Sequence, residues 1–166
     1  MHAYTFGLAR VLAGLTPGTP PGKIIEVEWG ADTERFHPGA AGPLRFARPA
    51  GTLVVFAGAF RSWHGAIHLV RAVRHLRERG RRDISVVLIG DGPELRRTRA
   101  EAHGVDGIAF TGAVPHSEMP AHLAAADVGA APFDTGAHEA LSLGFYWSPL
   151  KVFEYMAAGL PVIAPG

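Results

Sequence analysis

Short runs of apolar residues alternate with amphipathic segments from residue 53 onward. Segments with the apolar spacing of helices lie at about 65–79, 93–103, 117–125 and 149–158, between the apolar runs. Strands that alternate with helices form a parallel sheet through right-handed crossovers, with helices on both faces. The pattern therefore predicts an α/β fold whose strands are the apolar runs Leu53–Ala57, Ile84–Ile89, Ile108–Phe110, Val128–Ala131 and Pro161–Ala164.

Residues typical of sharp turns follow four of these predicted strands. Parallel α/β sheets bind their ligands at the carboxyl ends of the strands, where the loops must bend and the backbone must approach the ligand. Glycine permits both because it lacks a Cβ atom. We therefore expect a binding site at the edge formed by Gly58, Gly90, Gly112 and Pro132.

The first 50 residues have a different pattern. Proline and glycine are frequent in 16–22 and again in 38–49, and Ile24–Val27 is a candidate strand with no helix partner. We expect residues 1–50 to be an interdomain arm, a remnant of a neighbouring N-terminal domain. Residues 51–166 are then the main domain, and we expect this domain to be incomplete at its C-terminus.

The composition excludes several classes of protein. Of the 166 residues, 48% are hydrophobic and none is cysteine, and the formal net charge is +1. The lack of cysteine excludes a disulfide framework and thiolate metal sites. The small net charge gives no general attraction to nucleic acid. Since the chain also has no run of about 18 apolar residues and no signal-peptide pattern, we expect a soluble, cytoplasmic protein.

Basic residues are concentrated along the first predicted helix and its exit. The favoured interpretation is a solvated outer face of the domain. The alternative is a surface for an acidic partner or for an anionic membrane, which would place the protein at the inner face of a membrane. The residues concerned are Arg71, Arg74, Arg77, Arg79, Arg81 and Arg82.

The start of the last helix has the character of an anion site. Ser148 is a good N-cap, Pro149 suits the first helical position, and Lys151 follows in the first turn. A cation there is disfavoured by the helix dipole unless an anion binds between it and the free N–H groups. Glu154, on the next turn, can reach the far side of such a ligand. The competing interpretation is a surface ion pair between Lys151 and Glu154, which local chemistry alone favours slightly.

The loop after the first strand is a second candidate for phosphate binding. It runs from Gly58 to Gly65 and contains Arg61 and His64, so backbone N–H groups and a cation can surround a pyrophosphate. The alternative is a plain turn whose Trp63 covers the sheet edge.

Two later turns carry weaker signals. The segment from Gly90 to Pro93 lacks the third glycine of the dinucleotide fingerprint and fits a tight turn, with Pro93 at the first helical position. The segment from Gly112 to Pro115 can hold a flat base through stacking and main-chain hydrogen bonds. Neither turn identifies a ligand by itself.

Two familiar catalytic arrangements are not supported. His64 and His68 have the i, i+4 spacing of metal ligands, but no nearby carboxylate completes a set, so we predict no metal site. The chain also contains no Gly-x-Ser-x-Gly nucleophile elbow.

Taken in order, the motifs resemble the donor half of family 4 glycosyltransferases of the GT-B fold. Each motif is common singly, but the ordered set is specific and covers about residues 22–166. Val27–Pro38 resembles the hinge between the two domains of that family, and the other matching segments are Val54–Gly65, Val87–Glu94, Phe110–His116, Ala124–Val128 and Ser148–Ala164.

This resemblance implies a fold, a substrate and a set of contacts. The fold would be a Rossmann-like parallel sheet, one half of a GT-B enzyme that transfers a sugar from a nucleoside diphosphate sugar with retention and without a metal or other cofactor. Glu154 matches the second glutamate of the family's Glu-x7-Glu pattern, which contacts the ribose. Val114 matches the residue whose main chain meets the base, and Ser148 matches the start of the phosphate-binding helix.

The sequence departs from the family at several positions. Two cations that normally hold the pyrophosphate are replaced by Ala59 and His64, so Arg61 and Lys151 are the candidates to supply the charge. The first glutamate of the pattern falls at Tyr146, which becomes the candidate sugar contact. The acceptor domain is not part of the chain, so we expect weak nucleotide binding, no turnover by the chain alone, and no catalytic residue assignable within it.

Other functions remain open at this point. The chain could come from a different GT-B enzyme, such as a sugar-nucleotide epimerase, or could be a degenerate binding or oligomerisation domain, which Ala59 and Tyr146 favour. An unrelated receiver-like domain is disfavoured because no acidic cluster follows the first strand.

Overall fold

The computed structural model describes residues 3–5, 18, 20, 23–26, 30–137 and 149–165. The main domain is a five-stranded parallel sheet with the order β5-β4-β3-β6-β7. Its strands are β3 (Thr52–Ala57), β4 (Ile84–Ile89), β5 (Ile108–Gly112), β6 (Val128–Ala130) and β7 (Val162–Ile163). The helices are α1 (Ala66–Glu78), α2 (Leu95–Glu101), α3 (Met119–Ala124) and α4 (Leu150–Ala157).

Alternating residues of the central strands form two separate cores, one on each face of the sheet. One core contains alternate residues of β3 and β4 together with α3 and α4, namely Leu53, Val55, Ala57, Val87, Ile89, Leu123 and Tyr155. The other packs the intervening residues against α1, namely Val54, Phe56, Val86, Leu88, Ala66, Val70 and Val73. Strands buried on both faces are apolar throughout, which is why they stood out in the sequence. The predicted α/β fold, a Rossmann-like parallel sheet with helices on both faces, is confirmed.

Most predicted boundaries are correct to within one or two residues, and β4 matches its prediction at both ends. The start of α2 was wrong: Pro93 is not its first residue, because the helix begins at Leu95. The reason is a contact between loops, since Glu94 N–H donates to the Phe60 carbonyl at 2.8 Å. This bond holds the segment in a turn for two further residues.

The N-terminal part contains a strand that the sequence did not predict. β1 (Ala3–Thr5) pairs in parallel with β2 (Ile24–Glu26) in a separate two-stranded sheet. Only one strand, Ile24–Val27, was expected in this part of the chain, so β1 corrects that expectation. The apolar pattern missed β1 because three residues are too few to show a period. The division into an arm of 1–50 and a domain of 51–166 stays a prediction.

Residues 30–50, which we call the linker, pack closely on the main domain. Asp32 accepts backbone N–H groups of Glu34 and Arg35 in a tight turn, and Phe36 beyond it is only 1% exposed. Further along, Arg45 forms a bidentate pair with Glu118 at 2.9 and 3.0 Å. This segment is therefore held by both apolar and ionic contacts.

Five of the six basic residues on α1 and at its exit are engaged by neighbouring carboxylates and carbonyls. Arg77 bonds the Ile84 carbonyl at 2.7 Å and lies 3.3 Å from Asp106, which also pairs with Arg82 at 2.7 Å. Arg71, Arg74 and Arg81 have partners in Glu101 and Asp83. These contacts fit the interpretation as an outer face of the domain, and contact with a membrane surface stays a prediction.

Among the described helices, none has the length and apolar character needed to cross a membrane.

Candidate functional site

The sheet reverses its strand order between β3 and β6. The chain leaves β3 for β4 and β5 on one side and returns to β6 and β7 on the other. At such a point neighbouring loops diverge, and a crevice opens at the carboxyl ends of the two strands. Residues after β3 and β6 are therefore the first place to look for a ligand.

The loops at this edge are fixed to one another by backbone hydrogen bonds. Gly58 N–H donates to the Ile89 carbonyl, and Gly90 N–H donates to the Gly112 carbonyl. Gly90 has a φ of +128°, and a Cβ there would lie 2.0 Å from the Gly58 carbonyl oxygen. Only glycine permits this approach, so the edge is closely packed under the site.

The loop after β3 folds into a short 3-10 turn, Ser62–His64. Gly65 ends the turn with a φ of +67°, and a Cβ there would lie 1.7 Å from the Pro132 carbonyl oxygen. The turn therefore lies directly against the segment that follows β6. Many of its backbone N–H groups donate within the protein, namely those of Gly58, Phe60, Arg61, His64 and Gly65. Three of these groups donate within the loop, and those of Gly58 and Phe60 donate to the carbonyls of Ile89 and Asp91. The role of the loop in binding a pyrophosphate stays a prediction.

Lys151 projects its amine into this crevice. The Nζ atom lies 4.5 Å from the centre of the Phe56 ring and 5.1 Å from that of Phe133. It is buried and has no hydrogen-bond partner among the described residues. Burial lowers the pKa of Lys151 to about 7, against the opposing effect of the Glu154 charge. The ring faces are the environment of this cation, and an anion would complete it.

His64 lies beside the same amine. A Cβ at Gly58 would be 2.8 Å from Lys151 Nζ and 3.2 Å from His64 Nδ1, so both nitrogens border the space that this glycine leaves. Nδ1 of His64 is buried and likewise has no partner at hydrogen-bonding geometry among the described residues. Burial, followed by the charge of Lys151, lowers the pKa of His64 to about 4. A buried unsatisfied polar group costs about 1–3 kcal/mol, so two that border one space are typical of a site that a ligand completes.

Glu154 bonds His116 and not Lys151, the partner that the i, i+3 spacing suggested. Its side chain is 11% exposed, and Oε1 accepts a hydrogen bond of 3.0 Å from His116 Nε2. The alternative of a surface ion pair with Lys151 was wrong, because Nζ is buried and makes no hydrogen bond to Glu154. The two residues point into different parts of the edge.

Tyr155 fixes the helix that carries Lys151 and Glu154. The Tyr155 hydroxyl accepts the Ala57 N–H at 2.8 Å and donates to the Ala130 carbonyl at 3.3 Å. It thereby joins α4 to the ends of β3 and β6. A Cβ at Gly129 would lie 2.5 Å from the tyrosine ring, so glycine in β6 makes room for this side chain.

The start of α4 differs from its prediction. Pro149 occupies the N-cap rather than the first helical position, because its ψ of 75° is not helical. Lys151 is still in the first turn. Ser148 and Tyr146 lie outside the described residues, so their predicted roles stay predictions.

The remaining predicted residues are spread around the edge. Gly58, His64 and Lys151 lie together at the crevice. Arg61 is exposed on the same loop, with its guanidinium 5.9 Å from the centre of the Trp63 ring. Val114 is half-buried in the loop after β5, against the core that also contains Tyr155. The binding roles of all of these residues stay predictions.

Sequence reasoning missed His116, Phe56 and Phe133 as parts of the site. His116 ended a recognised motif, but nothing local indicated that it bonds a residue 38 positions away. The two phenylalanines are apolar residues in or after strands, and only the tertiary structure shows that they enclose an amine.

His64 and His68, which have the spacing of metal ligands, have different neighbours in the structure. His68 Nε2 lies 3.1 Å from Asp134 Oδ2, whereas His64 turns to Lys151. Within the part of the chain that the structure describes, no three His, Cys, Asp or Glu side chains are grouped as metal ligands would be.

Comparisons with known proteins agree on one family. Residues 51–165 match the family model described as glycosyl transferases group 1. The 2-deoxystreptamine glucosyltransferase of Streptomyces kanamyceticus is 35% identical over 127 residues, which are 74% of this chain and 30% of that protein. A GDP-mannose-dependent alpha-(1-6)-phosphatidylinositol monomannoside mannosyltransferase of Mycobacterium tuberculosis is 36% identical over 171 residues, covering 98% of this chain and 40% of that protein.

A solved structure shows the same fold. Anabaena HepE, crystallised with UDP and glucose, superposes with a TM-score of 0.67 at 16% identity, over 98% of this chain and 44% of that one. The chain thus spans less than half the length of these relatives.

Proposed function

Since the chain belongs to the group 1 glycosyltransferases, we propose that it forms the donor-binding half of a retaining enzyme. The donor would be a nucleoside diphosphate sugar, and the acceptor would be bound by a second domain. The observation that carries this proposal is the buried amine of Lys151 at the switch point of the sheet, which no described residue bonds.

The pyrophosphate would bind between the start of α4 and the turn after β3. The first N–H groups of a helix lack partners within the helix and favour an anion. Lys151 adds a cation whose two aromatic neighbours provide no acceptor. His64 Nδ1 offers a second polar atom at the same place. Arg61, exposed at the rim, would add a screened charge.

The nucleoside would extend toward the loop after β5. Glu154 has one oxygen held by His116 and a second available for ribose hydroxyls. The main chain around Val114 would contact the base, as the resemblance implies. Transfer of the sugar with retention would need no resident metal or cofactor in this chain.

Calorimetric titration of the chain tests the donor site. UDP, GDP and ADP are each compared with the matching monophosphate and nucleoside, with magnesium and with a chelator. We expect at least one diphosphate to bind about 100-fold more tightly than its nucleoside, because the charged contacts fall on the phosphates. The chelator should leave this affinity unchanged. Failure of every diphosphate to bind at millimolar concentration would contradict the proposal.

Product analysis then tests the reaction. The protein with its acceptor domain is supplied with the donor that binds, with and without an acceptor. A product that keeps the anomeric configuration of the donor supports retaining transfer. An epimerised sugar nucleotide formed without acceptor would instead support the epimerase alternative, and the absence of any product would favour a binding role.

A further inference from the structure

The bond between His116 and Glu154 joins two parts of the edge that are far apart in sequence. His116 follows β5, and Glu154 lies on α4. Nε2 of the imidazole donates to Oε1 of the carboxylate at 3.0 Å, with the histidine side chain 60% exposed and the glutamate 11% exposed. The histidine is thus the solvent-facing member, and it contacts a carboxylate that is almost enclosed.

His116 is itself held in place from the opposite side. Its ring packs on Phe36 with a centroid separation of 5.4 Å and an interplanar angle of 54°. Its carbonyl accepts the Arg35 guanidinium at 3.4 Å. Phe36 is only 1% exposed, so the surface on which the imidazole rests is part of the core. The linker therefore determines where Nε2 lies.

We propose that His116 is a positioning residue that orients the Glu154 carboxylate for the ribose hydroxyls of the donor. It thereby sets the preference of the site for ribonucleotides over deoxyribonucleotides. The inference rests on the proposed function, since it requires a nucleotide at this edge. It adds a residue to that site and a role for the linker.

The chemistry of the carboxylate supports this role. An ionised glutamate accepts at two oxygens, so His116 can hold Oε1 while Oε2 receives a hydroxyl. Without the bond the side chain regains rotamer freedom, which it must lose again when the nucleotide binds. The same bond ties the loop that carries Val114 to α4, so the predicted contacts with base and ribose are held in one arrangement.

The test compares nucleotides with and without their ribose hydroxyls. The diphosphate that binds the unmodified chain is titrated beside its 2′,3′-dideoxy form, against His116→Ala, His116→Gln and the matched control His103→Ala. His103 is an exposed histidine just beyond α2. Gln keeps an N–H donor of similar reach, so it should rescue the bond. Circular dichroism melts establish that each variant is folded.

We expect His116→Ala to lose about tenfold in affinity for the ribonucleotide and less than about twofold for the dideoxy form. His116→Gln should recover most of the loss, and His103→Ala should match the unmodified chain. Equal weakening of both nucleotides, or no weakening of either, would overturn the inference while leaving the proposed function intact. If the unmodified chain binds no diphosphate, both fail.

Discussion

Two histidines of this domain differ in how completely their ring nitrogens are hydrogen-bonded. His122, in α3, donates from Nδ1 to the Glu118 carbonyl at 2.9 Å and accepts the Arg45 N–H at Nε2 at 3.2 Å. His64, at the carboxyl edge, has a buried Nδ1 without a partner among the described residues, next to an equally unpaired lysine. The fully buried imidazole of His122 is bonded at both nitrogens, whereas the half-buried imidazole of His64 has one enclosed nitrogen that no described residue bonds.

This difference distinguishes polar groups that stabilise the fold from those that belong to the candidate site. Around His122 the linker is held by paired groups, among them Arg48 with Asp127, which also accepts the Leu53 N–H at 2.7 Å. A folded chain normally pairs its buried polar groups because leaving them unpaired costs free energy. Exceptions that cluster in a crevice are where a ligand supplies the missing partners. Substitutions in the crevice should therefore affect ligand binding and not lower stability, whereas substitutions around His122 should lower stability and not affect binding.

The largest effect is expected from Lys151→Met. This change removes the buried cation, so it should weaken diphosphate binding about 100-fold while raising the free energy of unfolding of the unligated chain by about 1 kcal/mol. Calorimetry and urea unfolding measure the two quantities. The same substitution at the exposed Lys23 is the control and should change neither. A destabilised Lys151→Met would mean that the amine has a partner in solution.

The opposite response is expected from His122→Ala. It leaves the Arg45 N–H and the Glu118 carbonyl without their partner, so it should lower the free energy of unfolding by about 2–3 kcal/mol. Affinity for a diphosphate should stay within about twofold because His122 is on another part of the domain. The control is His103→Ala. Loss of binding without loss of stability would break the proposed separation of the two regions.

The pH dependence of stability gives a third test. Lys151 has its pKa lowered from 10.5 to about 7, so above pH 7 the unfolded chain binds more protons at this site than the folded chain. The free energy of unfolding therefore gains a contribution that rises with pH between 7 and 10.5. His64, lowered from 6.5 to about 4, adds a similar rise between those values.

Urea unfolding at a series of pH values measures this dependence. Lys151→Met should flatten the rise above pH 7 and reduce the rise below 6.5 only in part, because burial lowers the pKa of His64 more than the charge of Lys151 does. His64→Gln should remove the rise below 6.5 and leave the rise above pH 7. Diphosphate affinity should fall above pH 7 as the amine loses its proton. A profile that Lys151→Met leaves unchanged would exclude a lowered pKa at this residue.

The smallest effect is expected from Arg61→Ala. The guanidinium is exposed at the rim, and the contribution of an exposed charge is largely screened by salt. Binding of a diphosphate should weaken about threefold at low ionic strength. It should hardly change at about 0.5 M salt, because the Debye length there is only a few ångströms and the charge is screened. Arg82→Ala, on the far surface, is the control. An effect as large as that of Lys151→Met would indicate that the main phosphate contact is Arg61 in the loop after β3 and not Lys151.

Sequence could predict the fold because its signals are local. The run Ile84–Ile89 is apolar at nearly every position since both faces of the strand are buried, and Gly90 marks where the backbone must pass close to Gly58. Both signals can be read from residues that are neighbours in sequence and from the period of the apolar positions. The order of such segments was enough to indicate the family.

The candidate site was only partly predictable because its decisive contacts are distant in sequence. Lys151 could be placed in the first turn of a helix. Whether it pairs with Glu154 or is available to an anion depends on Phe56 and Phe133, which lie beside its amine in the folded chain. The partner of Glu154 depended on where the loop after β5 comes to rest. Pro149 was misplaced by one position because proline is acceptable at both the N-cap and the next residue.

The hydroxyl of Tyr155 has a mechanical consequence. It spans β3 and β6 where their own ladder has ended, so α4 is fastened to two strands by one side chain. Turning the helix by a single residue, about 100°, would break both bonds and drive the ring into the β6 backbone. Sliding of α4 against the sheet is therefore blocked, so the helix and these two strands would move together as one rigid body.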